Sequence, residues 1–174
     1  ARTSRADRCG RRAAAPRSPD GLRRRRSCRT RRVASPTMRP SLDILVDQCL
    51  AEGITVSWAT IPNGCRGLYM LPTRTIYLHA SLPDWMAVPT LMHEMEHARR
   101  GDEGPQPIAV ETRIDMSVAC RLVGVAEYME AEALVGSSIG VLAMELEVPT
   151  WVVEAFQRSL RRIVAHGASV VAAR

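Results

Sequence analysis

Nearly all large apolar residues of this 174-residue chain lie after residue 37, and this division limits what the chain can fold into. Residues 1–37 hold 13 Arg against 2 Asp, a net charge of +11, and are otherwise mainly Ser, Ala and Pro. The remaining residues hold 11 Arg against 16 acidic residues, a net charge of −5. Only residues 38–174 can build a hydrophobic core, and this length predicts one domain.

The segment 1–37, called the leader below, cannot bury enough apolar surface to offset the entropy of an ordered chain, so we predict that it is disordered. Met38 is the first Met, and helical periodicity begins directly after it. We therefore expect the leader to be dispensable or not native to the protein. Two alternatives stay open. Its arginines could hold nucleic acid through phosphates, although no aromatic residue interleaves them, or its Arg- and Ser-rich composition could direct organelle targeting.

Several protein classes are disfavoured by what the sequence lacks. No apolar run approaches the roughly 18 residues that span a bilayer, and the leader has no apolar core of a secretory signal. The five cysteines form no CxxC pair, so they predict free thiols in a reducing cytoplasm and neither a disulfide framework nor a cysteine zinc site. Every basic residue outside the histidines is Arg, which indicates a GC-rich genome.

Hydrophobic periodicity predicts an α+β domain over residues 38–174. An N-terminal helix is followed by a small antiparallel sheet of about three strands and then by helices only. The predicted helices cover 41–53, 83–100, 108–123, 125–134, 139–146 and 149–164, and the predicted strands cover 54–58, 67–71 and 75–79. Pro89 lies either near the true start of the second helix or at a kink within it.

The second predicted helix contains the sequence His93-Glu94-Met95-Glu96-His97, an H-E-x-x-H motif. Residues four apart share a helix face, so both imidazoles can bind one metal ion, with Glu94 beside them as general base. The flanking apolar residues place this helix inside the domain, where buried imidazoles and carboxylates need partners. The motif therefore predicts a catalytic zinc site rather than a solvated helix face.

A catalytic zinc needs a third protein ligand. The metzincin pattern is absent, because Arg100 and Glu103 stand where that class has Gly and His. Asp102 or Glu103 could reach the metal from the loop, but the helix ends just before them, so the chain would have to turn back abruptly. We instead expect Glu111, at the start of the next helix, to ligate zinc.

Asp115 lies one turn after Glu111 on the same face, and we expect it to hydrogen-bond a ligand histidine or local backbone. The alternative to a metal site is that Glu111 and Asp115 only reflect the preference of a helix N-terminus for negatively charged side chains.

The runs 91–98 and 110–123 resemble the ImmA/IrrE family of metallo-endopeptidases, particularly forms carried by phages and mobile elements of actinobacteria. In that family the H-E-x-x-H helix is followed by a helix with a Glu, an acid or amide four residues later, then small residues and Leu. Glu111, Asp115, Ala119 and Leu122 match this spacing, whereas Ile114 stands where Ala is usual. The resemblance covers roughly residues 54–160.

The resemblance implies a zincin-like fold and a zinc peptidase of the gluzincin type, acting in the cytoplasm, in a host cell if phage-encoded. Its relatives cleave a helix-turn-helix repressor of a mobile element or of stress genes. The residues alone support a mechanism in which zinc on His93, His97 and Glu111 lowers the pKa of a bound water to about 7 and Glu94 takes its proton.

Two further parts of the site stay open in the sequence. The partner that stabilises the oxyanion could be Tyr128, Arg113 or His166. An exposed sheet edge, expected at 75–79, could hold an extended substrate.

A second hypothesis comes from residues 138–164, which have a helix-turn-helix outline with a turn at Glu147. The protein could then be a DNA-binding regulator that reads bases through Thr150, Gln157 and Arg158. The domain charge of −5 opposes this, so we expect the helices to pack against the peptidase or to recognise a protein. A binding module that keeps the metal ligands without catalysis is the third alternative.

Overall fold

A computed structural model describes residues 39–172, with side chains for 39–62 and 64–165; the predictions for the leader lie outside these residues. The described part is mixed α+β, as the periodicity predicts, with six α-helices and one three-stranded sheet. The helices are α1 (Leu42–Ala51), α2 (Asp84–Arg100), α3 (Ile108–Leu122), α4 (Val125–Val135), α5 (Ile139–Glu145) and α6 (Thr150–Ala172). The strands are β1 (Thr55–Ala59), β2 (Gly67–Met70) and β3 (Thr75–His79). Within the described residues, no helix is long and apolar enough to cross a membrane.

The sheet is not purely antiparallel, and the prediction is wrong in this respect. Its strand order is β1-β3-β2, with β3 parallel to β1 and antiparallel to β2. After β1, the connection at 60–66 leaves a gap of one strand between β1 and β2. The chain then turns back from β2, and β3 fills this gap beside β1. The strand predicted as a substrate-binding edge, Thr75–His79, is therefore the central strand. The free edges belong to β1 and β2.

Helix α2 has the predicted end and an internal proline. Its last residue is Arg100, and Gly101 follows at φ +68°, a left-handed conformation that glycine adopts without strain. Pro89 lies inside the helix and is buried among core residues. The apolar residues that flank the H-E-x-x-H motif are all buried: Leu91, Met92, Met95 and Ala98. The helix therefore lies in the interior, as the sequence predicts.

The core lies between the inner face of the sheet, α2 and the C-terminal helices. Ile76 and Leu78 of β3 are fully buried on the sheet side. On the helical side, α3 packs against α6 and presents the predicted stripe of Ile114, Val118 and Leu122, all buried. Because α2 contacts both the sheet and α3, the motif helix is held from two sides.

Helices α5 and α6 are joined by a short turn in which Glu147 has φ +51°. The two helices and the turn predicted within residues 138–164 are present, but the second helix, α6, continues to Ala172. Of the expected base-reading residues, Gln157 instead donates a hydrogen bond to the hydroxyl of Tyr128. The helix buries Val152 and Phe156 in the core. Gln157, Val152 and Phe156 of α6 therefore make contacts within the domain.

Candidate metal centre

Two histidines of α2 and one carboxylate of α3 bring three donor atoms together. The Nε2 atoms of His93 and His97 are 3.0 Å apart. Oε2 of Glu111 lies 3.2 Å from Nε2 of His93 and 3.4 Å from Nε2 of His97. Among the described residues this is the group of His, Cys, Asp and Glu side chains that could hold a metal ion. Its members are the three side chains that the sequence predicts as metal ligands.

The triangle has the size that tetrahedral zinc requires. Zn–N and Zn–O bonds of about 2.0–2.2 Å place the ligands of a regular tetrahedron roughly 3.3–3.6 Å apart. The three observed edges, 3.0, 3.2 and 3.4 Å, are close to these lengths. The residues therefore fit a metal ion without a change of helix position.

Carboxylates behind the two histidines orient the imidazole rings. Nδ1 of His93 lies 3.0 Å from Oδ1 of Asp115, and Nδ1 of His97 lies 3.0 Å from Oδ2 of Asp102. When each Nδ1–H donates to its carboxylate, each neutral ring keeps a lone pair on Nε2. Two such lone pairs then face each other and Glu111. Three electron-rich atoms at these distances repel unless a proton or a metal ion lies among them, so the same arrangement of donors suits a metal ion.

The electrostatics favour positive charge at the same place. Burial lowers the pKa of His93, but the hydrogen bond to Asp115 and the charges of Glu94, Asp115 and Glu111 outweigh it. The pKa of His93 is therefore held above its ordinary value. This shift expresses the attraction of the surrounding carboxylates for a cation.

Of the two loop carboxylates considered as zinc ligands, the structure places neither in the triangle. Asp102 lies behind His97 and also accepts a hydrogen bond of 2.7 Å from Nε of Arg100. Burial raises the pKa of Asp102, but its hydrogen bonds with Arg100 and His97 prevail and hold that pKa below its usual range. Glu103 is exposed. The chain does turn back sharply after α2, at Gly101, where the backbone N–H of Asp102 donates to the carbonyl of His97. The turn brings Asp102 behind His97 and not to the metal position.

Glu94 lies beside the triangle, against the edge of strand β2. Burial raises the pKa of its carboxyl, while the neighbouring histidines and a hydrogen bond from the backbone N–H of Tyr69 lower it; the net shift is upward. A Cβ added at Gly67 would lie 2.8 Å from Oε1 of Glu94 and 2.7 Å from Cγ2 of Thr90. Only glycine at position 67 lets the strand approach this closely. Sequence reasoning missed both Gly67 and Tyr69.

An open cavity of about 360 Å³ gives access to the site. His93, Glu94, Gly67, Asp115 and Trp151 contribute to its wall. The ring of Trp151 packs edge-on against His93, with centroids 6.2 Å apart. Half-buried Trp151 therefore belongs to the site as well as to α6.

The oxyanion candidates do not converge on this cavity. The hydroxyl of Tyr128 donates to Glu132 and accepts from Gln157, between α4 and α6. Arg113 is exposed and does not line the cavity, and the side chain of His166 lies outside the described residues. No oxyanion partner is assigned.

Comparison with protein-family models, with curated proteins and with solved structures gives no match to this chain.

Proposed function

We propose that this protein is a zinc-dependent endopeptidase of the ImmA/IrrE type that acts on a protein substrate in the cytoplasm. The convergence of His93, His97 and Glu111, with each histidine backed by a carboxylate, is the observation that carries the proposal. The family resemblance suggests a helix-turn-helix repressor of a phage or mobile element as the substrate.

The residues around the triangle fit hydrolysis of a peptide bond. A bound zinc ion acts as a Lewis acid that makes water acidic enough to ionise near neutral pH. Glu94 borders the same cavity and is the general base that takes the proton of the attacking water. Burial favours the protonated form of Glu94, so the carboxyl can hold that proton and deliver it to the leaving amine.

The free edge of β2 is the substrate-binding edge in this proposal. Tyr69 is buried and donates its N–H to Glu94, whereas Leu68 and Met70 are exposed. An extended peptide added along this edge would bring a backbone carbonyl to the metal centre. The central strand β3 is paired on both sides and cannot serve this purpose.

Metal stoichiometry of the full chain tests the proposal first. After incubation with zinc, elemental mass spectrometry is expected to find about one ion per chain in the wild type and none in His97→Ala. His79→Ala is the matched control, because His79 lies outside the triangle and contacts Ser81. A wild type without zinc, or a His97→Ala variant that keeps it, would refute the site.

Catalysis is tested with fluorescent casein and the zinc-loaded chain. Glu94→Gln keeps the ligands and removes the base, so zinc binding is expected to persist while cleavage falls by at least 100-fold. Glu96→Gln is the control on the same helix, because Glu96 pairs with Arg99 and Arg121 instead of facing the site. A Glu94→Gln variant with full activity would exclude Glu94 as the base. A wild type that binds zinc and cleaves nothing would leave the alternative of a binding module.

The alternative of a DNA-binding regulator makes a separate prediction. A duplex selected from a random pool would then bind the full chain in a sequence-dependent manner and lose affinity on Arg158→Ala, since Arg158 is exposed on α6. The burial of Val152 and Phe156 and the contact of Gln157 with Tyr128 favour packing instead. We therefore expect binding that is weak, salt-sensitive and independent of sequence.

A further inference from the structure

A second cavity, of about 790 Å³, lies between the first turn of α2 and the α5–α6 turn. It is larger than the cavity at the metal centre and is mainly apolar. The apolar residues of its wall are Trp85, Met86, Ala143, Met144, Val148 and Pro149. Trp85 and Met144 leave 50% and 80% of their surfaces exposed. Large apolar side chains that surround a concave space are typical of a ligand-binding site.

The two cavities are neighbours in the fold. Arg66 borders both of them. Thr150 and Trp151, neighbours at the start of α6, line the apolar cavity and the metal cavity respectively. The apolar cavity therefore lies close enough to the metal centre for a bound peptide to reach it past the exposed side chain of Arg66.

The spacing along α2 suits an extended peptide. Trp85 precedes His93 by eight residues, which corresponds to about 12 Å at roughly 1.5 Å per helical residue. An extended peptide advances about 3.3 Å per residue. A side chain three or four residues from the bond at the metal would thus reach the apolar cavity.

The charges around the apolar cavity disfavour an anionic occupant. Asp84 and Glu147 are exposed and both contribute to its wall, while Arg66 is its only cation among the described residues. A phosphate backbone would meet two carboxylates there. An uncharged apolar side chain meets the exposed Trp85 and Met144 instead.

From this geometry we infer that the apolar cavity is a specificity pocket of the peptidase, which accepts a Leu, Ile, Met or Phe side chain of the substrate three or four residues from the scissile bond. The inference rests on the proposed peptidase function. It identifies Trp85 and Met144 as residues that select the substrate, although both lie away from the metal ligands.

A peptide library derived from a digested proteome tests the pocket. The zinc-loaded full chain is incubated with the library, and cleavage sites are identified by mass spectrometry. The wild type is expected to enrich large apolar residues at one position, three or four residues from the cut, by at least threefold. Met144→Glu places a carboxylate in the pocket and should shift the preference at that position towards Lys and Arg.

Two further variants separate the pocket from general effects. Met129→Glu is the matched control, because Met129 is 63% exposed on α4 and does not line either cavity, so its cleavage profile should equal that of the wild type. Trp85→Glu provides a second carboxylate in the pocket, at a helix N-terminus that tolerates acids, and should shift the profile like Met144→Glu.

The outcomes distinguish the two proposals. Cleavage without an apolar preference at that distance, or the same preference in wild type and Met144→Glu, would overturn the pocket and leave the peptidase intact. A zinc-loaded wild type that cuts no peptide would overturn the peptidase and the pocket together. A shift confined to Met144→Glu and Trp85→Glu would establish the pocket.

Discussion

The carboxylate of Asp102 lies 3.0 Å from Nδ1 of His97, although it follows the helix that carries His97. Gly101 makes this contact possible, because its φ of +68° turns the chain back over the last turn of α2. Asp102 in turn accepts a hydrogen bond from Nε of Arg100. The end of the helix thus holds the ring of His97, one of the proposed metal ligands, in its orientation.

Removing this carboxylate should weaken metal binding without removing a ligand. We expect Asp102→Ala to lower zinc affinity about ten- to a hundredfold, the usual effect of losing a carboxylate behind a ligand histidine. Competition with a chromophoric chelator measures the change. Glu103→Ala, in the same loop but exposed, should bind zinc like the wild type. Equal affinities for Asp102→Ala and Glu103→Ala would show that Asp102 does not orient His97.

The parts of the site that follow from local spacing could be predicted from the sequence. His93 and His97 share a helix face because they are four residues apart, and Glu111 and Asp115 do so for the same reason. For Asp102 the spacing suggests a possible ligand and gives no sign of the contact with His97. Glycine directly after a helix commonly adopts positive φ and returns the chain, so Gly101 was the signal that could have placed it.

The parts that depend on non-local pairing could not be predicted. The length and alternation of 75–79 indicate a strand, but they do not say that it pairs on both edges. That depends on the path of the 60–66 connection. The approach of Gly67 to Glu94 follows from the same strand order, and a glycine at the start of a strand carries no signal for the neighbour it will meet.

Substitution of Gly67 should disturb both folding and catalysis. The added methyl group of Gly67→Ala would lie within 3 Å of Thr90 and Glu94. We expect a loss of roughly 1–3 kcal/mol in the free energy of unfolding, typical of overpacking, together with reduced kcat. Urea unfolding and casein cleavage measure the two effects. Gly140→Ala is the control for the unfolding measurement alone, since its Cβ would meet nothing within 4 Å and the helix should be unchanged or slightly stabilised, although Gly140 borders the apolar cavity.

Arg39 should be important for stability. Its guanidinium donates to the carbonyls of Leu122 at 3.0 Å and Leu146 at 2.6 Å and pairs with Glu127 at 2.6 Å. One side chain therefore joins the C-terminal ends of α3 and α5 to α4. We expect Arg39→Ala to reduce the free energy of unfolding by about 2–3 kcal/mol, because partly buried carbonyls lose a charged donor.

Lysine should not replace Arg39, since one ammonium cannot reproduce the planar fork that reaches three acceptors. Urea unfolding of Arg39→Ala and Arg39→Lys provides the test, with the exposed Arg158→Ala as control. If Arg39→Lys were as stable as the wild type, the three-way contact would not contribute to stability.

Zinc should stabilise the folded protein through the triangle. A ligand that binds only the folded state adds about 4 kcal/mol when its free concentration is a thousand times its Kd. For a domain of this size, that corresponds to an increase in Tm of roughly 10–20 °C. Differential scanning calorimetry with zinc and with EDTA measures the difference. The increase in Tm with zinc should be almost absent in His97→Ala and complete in His79→Ala.

The reactivity of Cys49 provides a pH-dependent test of the core. Burial, helped by the charge of Glu52, raises the pKa of its thiol to about 11, whereas Cys65 and Cys120 are exposed. At pH 8 the thiolate of Cys49 should be about 0.1% populated, against roughly a quarter for an ordinary thiol of pKa about 8.5. Iodoacetamide should therefore modify Cys65 and Cys120 first, and the rate at Cys49 should increase about tenfold per pH unit up to pH 11. Peptide mass spectrometry at successive pH values measures each rate. If Cys49 reacted at pH 8 as fast as Cys65, its thiol would not be buried between α1 and the core.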